Sequence, residues 1–404
     1  MRIGVLVGSF SADIGGGYTF QETILNSLLE IVPNSPHQFV FYTQDKNVID
    51  RNIPNASFKS IYLDPRERRK LRILEWLQAL PQKIRHPFAI TNRLTPQEQW
   101  SLNILNHDKI QVILSLVPVY LTSEIPNISI VWDLQHRLQP FFPEVSIAGE
   151  WQRREMAYQT LLQRASYIIT GTEAGKQEIA QFYQVATERI RVLPLPTPQF
   201  ALCSPGSQTI DVVKKYQLPK KYLFYPAQFW PHKNHINLLH ALHILKHQYD
   251  LELPIVFVGS EKGNQAYVMS VAEELGLTHQ VHKLGFIPVE DMAYLYKNAF
   301  ALTFMSLFGP DNLPPLEAMA LGCPVIASNV SGAKEQFGDN VLIVNATQPK
   351  AIATAIKSLW DDPNLSADLV QKGLSKANSW TSIQYAQKIH DLLDEFEGFR
   401  RVWP

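Results

Sequence analysis

Residues 309–323 read GPDNLPPLEAMALGC, and the reading of this stretch decides the reading of the chain. Pro314 and Pro315 fit the first turn of a helix, where their missing N–H groups do no harm. The small, apolar run behind them belongs to a core. One carboxylate, Glu317, therefore sits where a helix begins in apolar surroundings, with no Arg or Lys following until Lys334. Macrodipole compensation at a surface site accounts for under about 1 kcal/mol. A carboxylate in an apolar setting needs donors, and a ribose diol offers two at once. The N–H groups of Asp311, Asn312 and Leu313 just ahead of the prolines can form an anion nest. Carboxylate and nest together describe a nucleotide-diphosphate site.

Working outward, short apolar strands alternate with helical stretches on both sides. KYLFYPA (221–227), LPIVFVG (253–259), VHKLGFI (281–287), AFALTF (299–304) and PVIASN (324–329) read as strands, with helices over 234–248, 264–275, 289–298 and 314–321. Upstream, strands are expected at 2–8, 37–43, 57–63, 110–116, 128–133 and 165–171. Continuous apolar runs of this kind suit parallel sheets buried on both faces. Between the halves, 189–209 is rich in prolines and reads as a linker. The expected fold class is α/β, with two Rossmann-like doubly wound parallel-sheet domains facing a cleft: 1–200 and 201–380, the C-terminal segment 381–404 packing back across the boundary.

A chain of 404 residues with 46 % hydrophobic and 18 % charged residues is long enough for two such domains. The formal net charge is zero, so no whole-molecule field favours nucleic acid, and none is expected as a partner. Cys203 and Cys323 lie far apart and match no metal or redox spacing, which points to reduced thiols in a cytoplasmic protein. The start MRIGVLVGSF turns polar too soon for a signal segment, and no run of about 18 apolar residues appears later.

Ligands of open α/β sheets bind where strand ends meet helix N-termini. After the first strand, Gly15, Gly16 and Gly17 would let backbone N–H groups approach a phosphate, although a flexible turn explains them equally well. In YPAQFWPHKNHINLLHAL (225–242), Lys233 stands beside a helix start that Asn234 could cap, a place for an ammonium to neutralise a diphosphate. Phe229 and Trp230 make that loop costly to order as plain surface. The strand end Gly285-Phe286-Ile287 could offer backbone groups to a flat ring.

These motifs, with FGPDNLPPLEAMALGCPVIASNVSGAKEQFGDNVLIV (308–344), WDLQHRLQPFFPE (132–144) and ASYIITGTEAGKQEIAQFY (165–183), resemble the retaining nucleotide-sugar glycosyltransferases of family 4, which have the GT-B fold. The resemblance implies that Lys233 holds the donor diphosphate, Glu317 the ribose hydroxyls and the backbone near Ile287 the base. It gives Asn312 and Leu313 the phosphates through N–H groups, with Gly16 and Gly17 reaching them from the other domain. Gln228, Gly309 and Asp311 complete the donor-binding set, and Lys233, His136 and Asp133 the catalytic one. It implies a hexosyltransferase using a GDP- or UDP-sugar as substrate, GDP-mannose first, with no cofactor and no metal. The acceptor would be a glycan, a lipid-linked sugar or a small molecule.

The sequence departs from the family at three places. The second Glu usual eight residues before the ribose-binding one is absent, since that position falls on Gly309 or Ser306. The usual Arg five before the Lys is Gln228, and the usual His before Asp133 is Trp132, with His136 shortly after. Asp311 is the one carboxylate left in the loop to reach the sugar, unless it forms a turn or cap. A catalytically silent GT-B partner subunit, or a GT-B epimerase or phosphorylase, stays open as an alternative. Finally, RERRKLRILEWLQALPQKIR (66–85) would make a basic amphipathic helix, either a solvated face or a peripheral contact with an inner membrane face.

Overall fold

The computed structural model describes residues 1–8, 16–43, 53–60, 69–70, 94–119, 121–203 and 212–403. The first sheet contains β1 (Arg2–Leu6), β2 (Gln38–Thr43), β3 (Ala56–Ser60), β4 (Val112–Ser115), β5 (Asn127–Ile130), β6 (Tyr167–Thr170) and β7 (Ile190–Val192). Its order is β3-β2-β1-β4-β5-β6-β7, with every pair parallel. Ile3, Phe41, Val112 and Ile169 are fully or almost fully buried because helices cover both faces.

The second sheet contains β8 (Leu223–Pro226), β9 (Ile255–Val258), β10 (Val281–Lys283), β11 (Ala301–Phe304), β12 (Val325–Ser328) and β13 (Leu342–Val344). Its order is β10-β9-β8-β11-β12-β13, again all parallel. The direction of winding reverses between β1 and β4 in one sheet and between β8 and β11 in the other. Such switch points open a crevice at the strand carboxyl ends.

Two expected elements differ. The stretch taken as linker from 189 first forms β7, because the β-branched Ile190 and Val192 precede the prolines and complete the edge beside β6. The strand expected over 281–287 stops at Lys283, since Gly285 takes φ +70° and turns the chain. Of the basic segment 66–85, only residues 69–70 are described, so that reading lies outside the described residues.

The helix Ser382–Arg400 returns to the first sheet, opened by a capping box between Thr381 and Gln384. His390 Nε2 lies 2.6 Å from Ser35 Oγ, His37 Nε2 lies 2.8 Å from Asp394 Oδ1, and Tyr167 donates to Glu395 at 2.7 Å. Tyr385, 1 % exposed, meets Phe20 edge-on with ring centroids 5.8 Å apart, and Phe20 meets Trp132 edge-on at 6.2 Å. The last helix thus supports the floor of the first domain's carboxyl edge. Tyr385→Ala should cost about 3 to 5 kcal/mol, as large aromatic truncations in a core do. Urea unfolding of the variant beside the parent checks it; a loss under about 1 kcal/mol would show that the helix does not anchor that floor.

Candidate active site

Between the two carboxyl edges lies a cleft of about 570 Å³, within the range of small-ligand sites. One wall carries Gly16 and Gly17, the opening residues of helix Gly16–Ile31. Gln21 fastens that turn, accepting from Gly8 N–H at 2.9 Å and donating to Gly17 C=O at 3.2 Å. The positive end of the helix therefore faces the cleft, and no acidic residue stands in its first turn.

The opposite wall is built by loops after β8, β9 and β11. Lys233 lines it, its Nζ 3.5 Å from Ser306 Oγ and 5.4 Å from the Phe304 ring centroid. Among the described residues no carboxylate comes within ion-pair distance of Nζ. Burial pulls its pKa down to about 8 against the raising influence of Asp133 and Glu144. Asn234 does not cap the following helix through its side chain. At φ +58° it donates instead to the Met305 and Ala346 carbonyls, at 3.2 and 2.8 Å, tying three loops behind Lys233. Phe229 is core, stacked on the His235 ring at 4.7 Å, while Trp230 lines the cleft.

Glu317 lies in the cleft wall, 8 % exposed, accepting from Tyr296 Oη at 2.6 Å. Burial lifts its pKa to about 7, with the Tyr296 hydrogen bond acting in the other direction. Asp311, Asn312, Leu313, Gly309, Gln228 and Ile287 line the same cleft. Phe286 lines it too, 64 % exposed at the rim.

Two placements correct the sequence reading. The Asn312 N–H is not open to an anion, because Gln336 pairs with that residue's backbone on both sides: Oε1 accepts from its N–H at 2.8 Å and Nε2 donates to its C=O at 2.9 Å. The Leu313 N–H, in a first turn with no intrahelical acceptor, remains for that role. His136 is not in the cleft at all. The short helix Gln135–Leu138 turns it inward, where it is fully buried with Nε2 3.3 Å from Glu155 Oε2 and 3.1 Å from Tyr183 Oη. Desolvation lowers its pKa against the pull of Glu155, so it is a neutral packing residue. Asp133 does line the cleft, accepting from Gln135 N–H at 3.0 Å and facing Arg154 Nη1 at 3.3 Å.

Asp311 touches the opposite domain. A Cβ built on Gly171 would fall 1.5 Å from Asp311 Oδ2, so only glycine leaves room for that carboxyl. Burial first, then the nearby charges of Asp133, Glu335 and Glu178, raise its pKa to about 7. Asn312, not Asp311, occupies the cap position of the helix.

The sequence reading missed three cleft residues. Arg154 joins the wall from helix Glu150–Arg164, its Nε donating to Glu150 at 2.7 Å. Glu144 and His232 face each other across the domains, the His232 N–H donating to Glu144 Oε1 at 3.0 Å. Only the adjacency of His232 to Lys233 hinted at this; nothing in sequence pairs it with a residue 88 positions away.

Residues 208–376 match the family described as Glycosyl transferases group 1. The chain is 26 % identical over 240 residues to the O-antigen chain mannosyltransferase B of Escherichia coli, covering 59 % of this chain and 63 % of that protein. It is 25 % identical over 290 residues to the serotype-specific mannosyltransferase WbdA of Escherichia coli, covering 70 % of this chain and 35 % of the relative. The chain thus spans less than two thirds of either. Among solved structures, Anabaena HepE in complex with UDP superposes with a TM-score of 0.68 at 17 % identity, over 98 % of this chain and all of that one. The fold is GT-B. No helix among the described residues is long and apolar enough to cross a membrane.

The loop carrying Glu317 depends on a glycine behind it. Gly332 has φ +84°, and a Cβ there would lie 2.0 Å from the Pro310 carbonyl oxygen. Gly332→Ala should therefore lower stability by more than about 1 kcal/mol from backbone strain alone. Thermal unfolding checks it, and an unchanged melting temperature would mean the loop can move aside.

Proposed function

We propose that this chain is a retaining glycosyltransferase of family 4 type that moves a hexose, mannose first, from a nucleotide-diphosphate sugar to a glycan, lipid-linked or small-molecule acceptor. The observation that carries the reading is the convergence of Lys233, Glu317 and the Gly16–Ile31 helix start on one cleft. Glu317, already polarised by Tyr296, offers its acceptor capacity to the ribose diol. Phe286 and Ile287 border the space for the base, and a ring stacked on an exposed aromatic at the rim suits either nucleotide. Lys233, the Leu313 N–H and the Gly16–Gly17 turn hold the diphosphate between them. The mannosyltransferase relatives favour mannose, and the UDP complex of HepE keeps a UDP-sugar as the second donor.

In the reaction the bond from the anomeric carbon to the diphosphate oxygen breaks, the acceptor hydroxyl oxygen takes its place on the same face, and the departing phosphate accepts the hydroxyl proton. The protein's part is to hold positive charge on the leaving oxygen, where preorganised donors count most. Lys233 and the helix-start N–H groups supply that charge, so the reading carries no metal requirement. A silent partner subunit remains the second reading, favoured by one observation: Gln228 stands where a second cation would be and instead bonds Ser260 Oγ at 3.2 Å.

Thermal stabilisation by GDP, UDP, GDP-mannose and UDP-glucose, in the presence of EDTA, tests the function and names the base. A shift of several degrees with one base is expected; no shift with any, or a shift only after Mg²⁺ is added, would overturn the reading. Affinity for the nucleotide sugar should peak between about pH 7 and pH 8. Below about 7 Glu317 gains a proton and loses acceptor capacity; above about 8 Lys233 loses its charge. Calorimetry across pH should show Glu317→Gln flattening the acid limb and Lys233→Ala the basic one, with Lys233→Ala also slowing transfer by about 2 to 4 kcal/mol of barrier. Unaltered limbs would remove these residues from the site.

A further inference from the structure

The proposed reading leaves a gap, because the loop before Glu317 has no carboxylate where the family resemblance expects one for the sugar. Ser306 is spent on its own turn, accepting from the Phe308 N–H at 3.3 Å, and Gly309 has no side chain. Asp311 is turned onto Gly171. A hexose with its hydroxyls in a water-poor cleft still needs acceptors.

Glu144 stands on the other side of the same cleft, on the short helix Pro143–Ser146 of the first domain. Its side chain is 6 % exposed. Oε1 is held by His232 twice, by the backbone N–H and by ring Nδ1. That ring is itself fixed, stacked on Phe308 with centroids 4.1 Å apart and 9° between planes, and Phe142 closes on Phe308 edge-on at 5.0 Å. Oε2 is different: it is buried and, among the described residues, has no hydrogen-bond partner. Burial pushes the Glu144 carboxyl up, but hydrogen bonds from the His232 ring, from its own backbone N–H and from the His232 N–H outweigh it and hold the carboxyl below the usual carboxylate range, so the group is charged. Burial also drives His232 down to about pKa 4, which leaves a neutral ring whose one proton sits on Nδ1 toward Glu144.

A buried, charged oxygen without a donor is costly in a folded protein, and a ligand hydroxyl is one of the partners that can complete it. Trp132, Asp133, Lys233 and Gly309 line the same cleft, which is where the sugar must lie if Lys233 holds the diphosphate. Resting on the proposed donor site, we infer that Glu144 is the sugar-contacting carboxylate, its Oε2 accepting from hydroxyls of the transferred hexose. The first domain would then supply the acid that the second domain's loop lacks, and sugar selection would need both domains closed on the donor.

The test is calorimetry of GDP, UDP, GDP-mannose and UDP-glucose with the whole chain as wild type, Glu144→Gln and His232→Asn, with melting temperatures measured beside each. Glu144→Gln keeps the shape of the side chain and should lower affinity for the nucleotide sugar at least tenfold, while the matching free nucleoside diphosphate binds within twofold of wild type. His232→Asn breaks the ring contact but keeps the carboxylate, and should retain most of the preference for the nucleotide sugar. Nucleotide-sugar affinity unchanged in a folded Glu144→Gln protein overturns the inference while the donor site stands. So does a fall in free nucleoside diphosphate affinity by the same factor in a folded Glu144→Gln protein, which would make Glu144 a domain clamp only. A wild type that binds none of the four removes the donor site, and this inference with it.

Discussion

Every strand pair in both sheets is parallel, and that constraint settles where chemistry can occur. Parallel strands place all their carboxyl ends on one edge of each sheet, and each chain crossing must there give way to a helix N-terminus. Loops on those edges carry Lys233, Asp133, Glu144 and the residues from Gly309 to Glu317. Packing the two edges face to face converts loops from distant parts of the sequence into one lined cavity. The sheets remain buried on both faces, so the cleft edges are where polar groups can gather without disturbing a core.

What the cleft does to those polar groups is desolvate them. Lys233 moves down, Glu317 and Asp311 move up, and His232 moves down, in each case with burial as the largest cause. Removal of water strengthens any later interaction with ligand charge and removes the alternative partners that water would supply. The core supports this directly. Tyr296, which polarises Glu317, packs edge-on against Phe224 of β8 at 4.9 Å, so the orientation of a cleft carboxylate is fixed by the sheet beneath it.

Much of this was legible in the sequence, and the exceptions share a cause. Apolar runs bounded by turn residues identified most strands, and the prolines before Glu317 located the helix that carries it. The residues marked for the second domain's wall lie within single strand-loop-helix units, where local spacing suffices. His136 was misplaced because one short helical turn decides whether a side chain faces cleft or core, and that turn has no periodic signature. Gln336 closing the Asn312 N–H, and Glu144 meeting His232, are contacts across 24 and 88 residues. Such pairings follow from how the layers and domains dock, which hydrophobic spacing does not encode.

The docking mixes apolar contacts, Phe142 on Phe308 among them, with polar ones. Besides the Glu144–His232 pair, Gln139 Nε2 donates to the Leu307 carbonyl at 2.8 Å, Ser331 Oγ to Glu178 at 2.9 Å, and the Glu173 N–H to Glu335 at 2.6 Å. Asp311 sits where those contacts converge, against Gly171 and within reach of the charges of Asp133, Glu178 and Glu335. An accumulation of carboxylates at a closing surface opposes closure unless one of them is neutral or a cation lies near. Asp311 with a pKa raised to about 7 takes the first course near neutral pH, and Arg154 beside Asp133 takes the second. The charge balance of the cleft is therefore part of what holds the two carboxyl edges face to face.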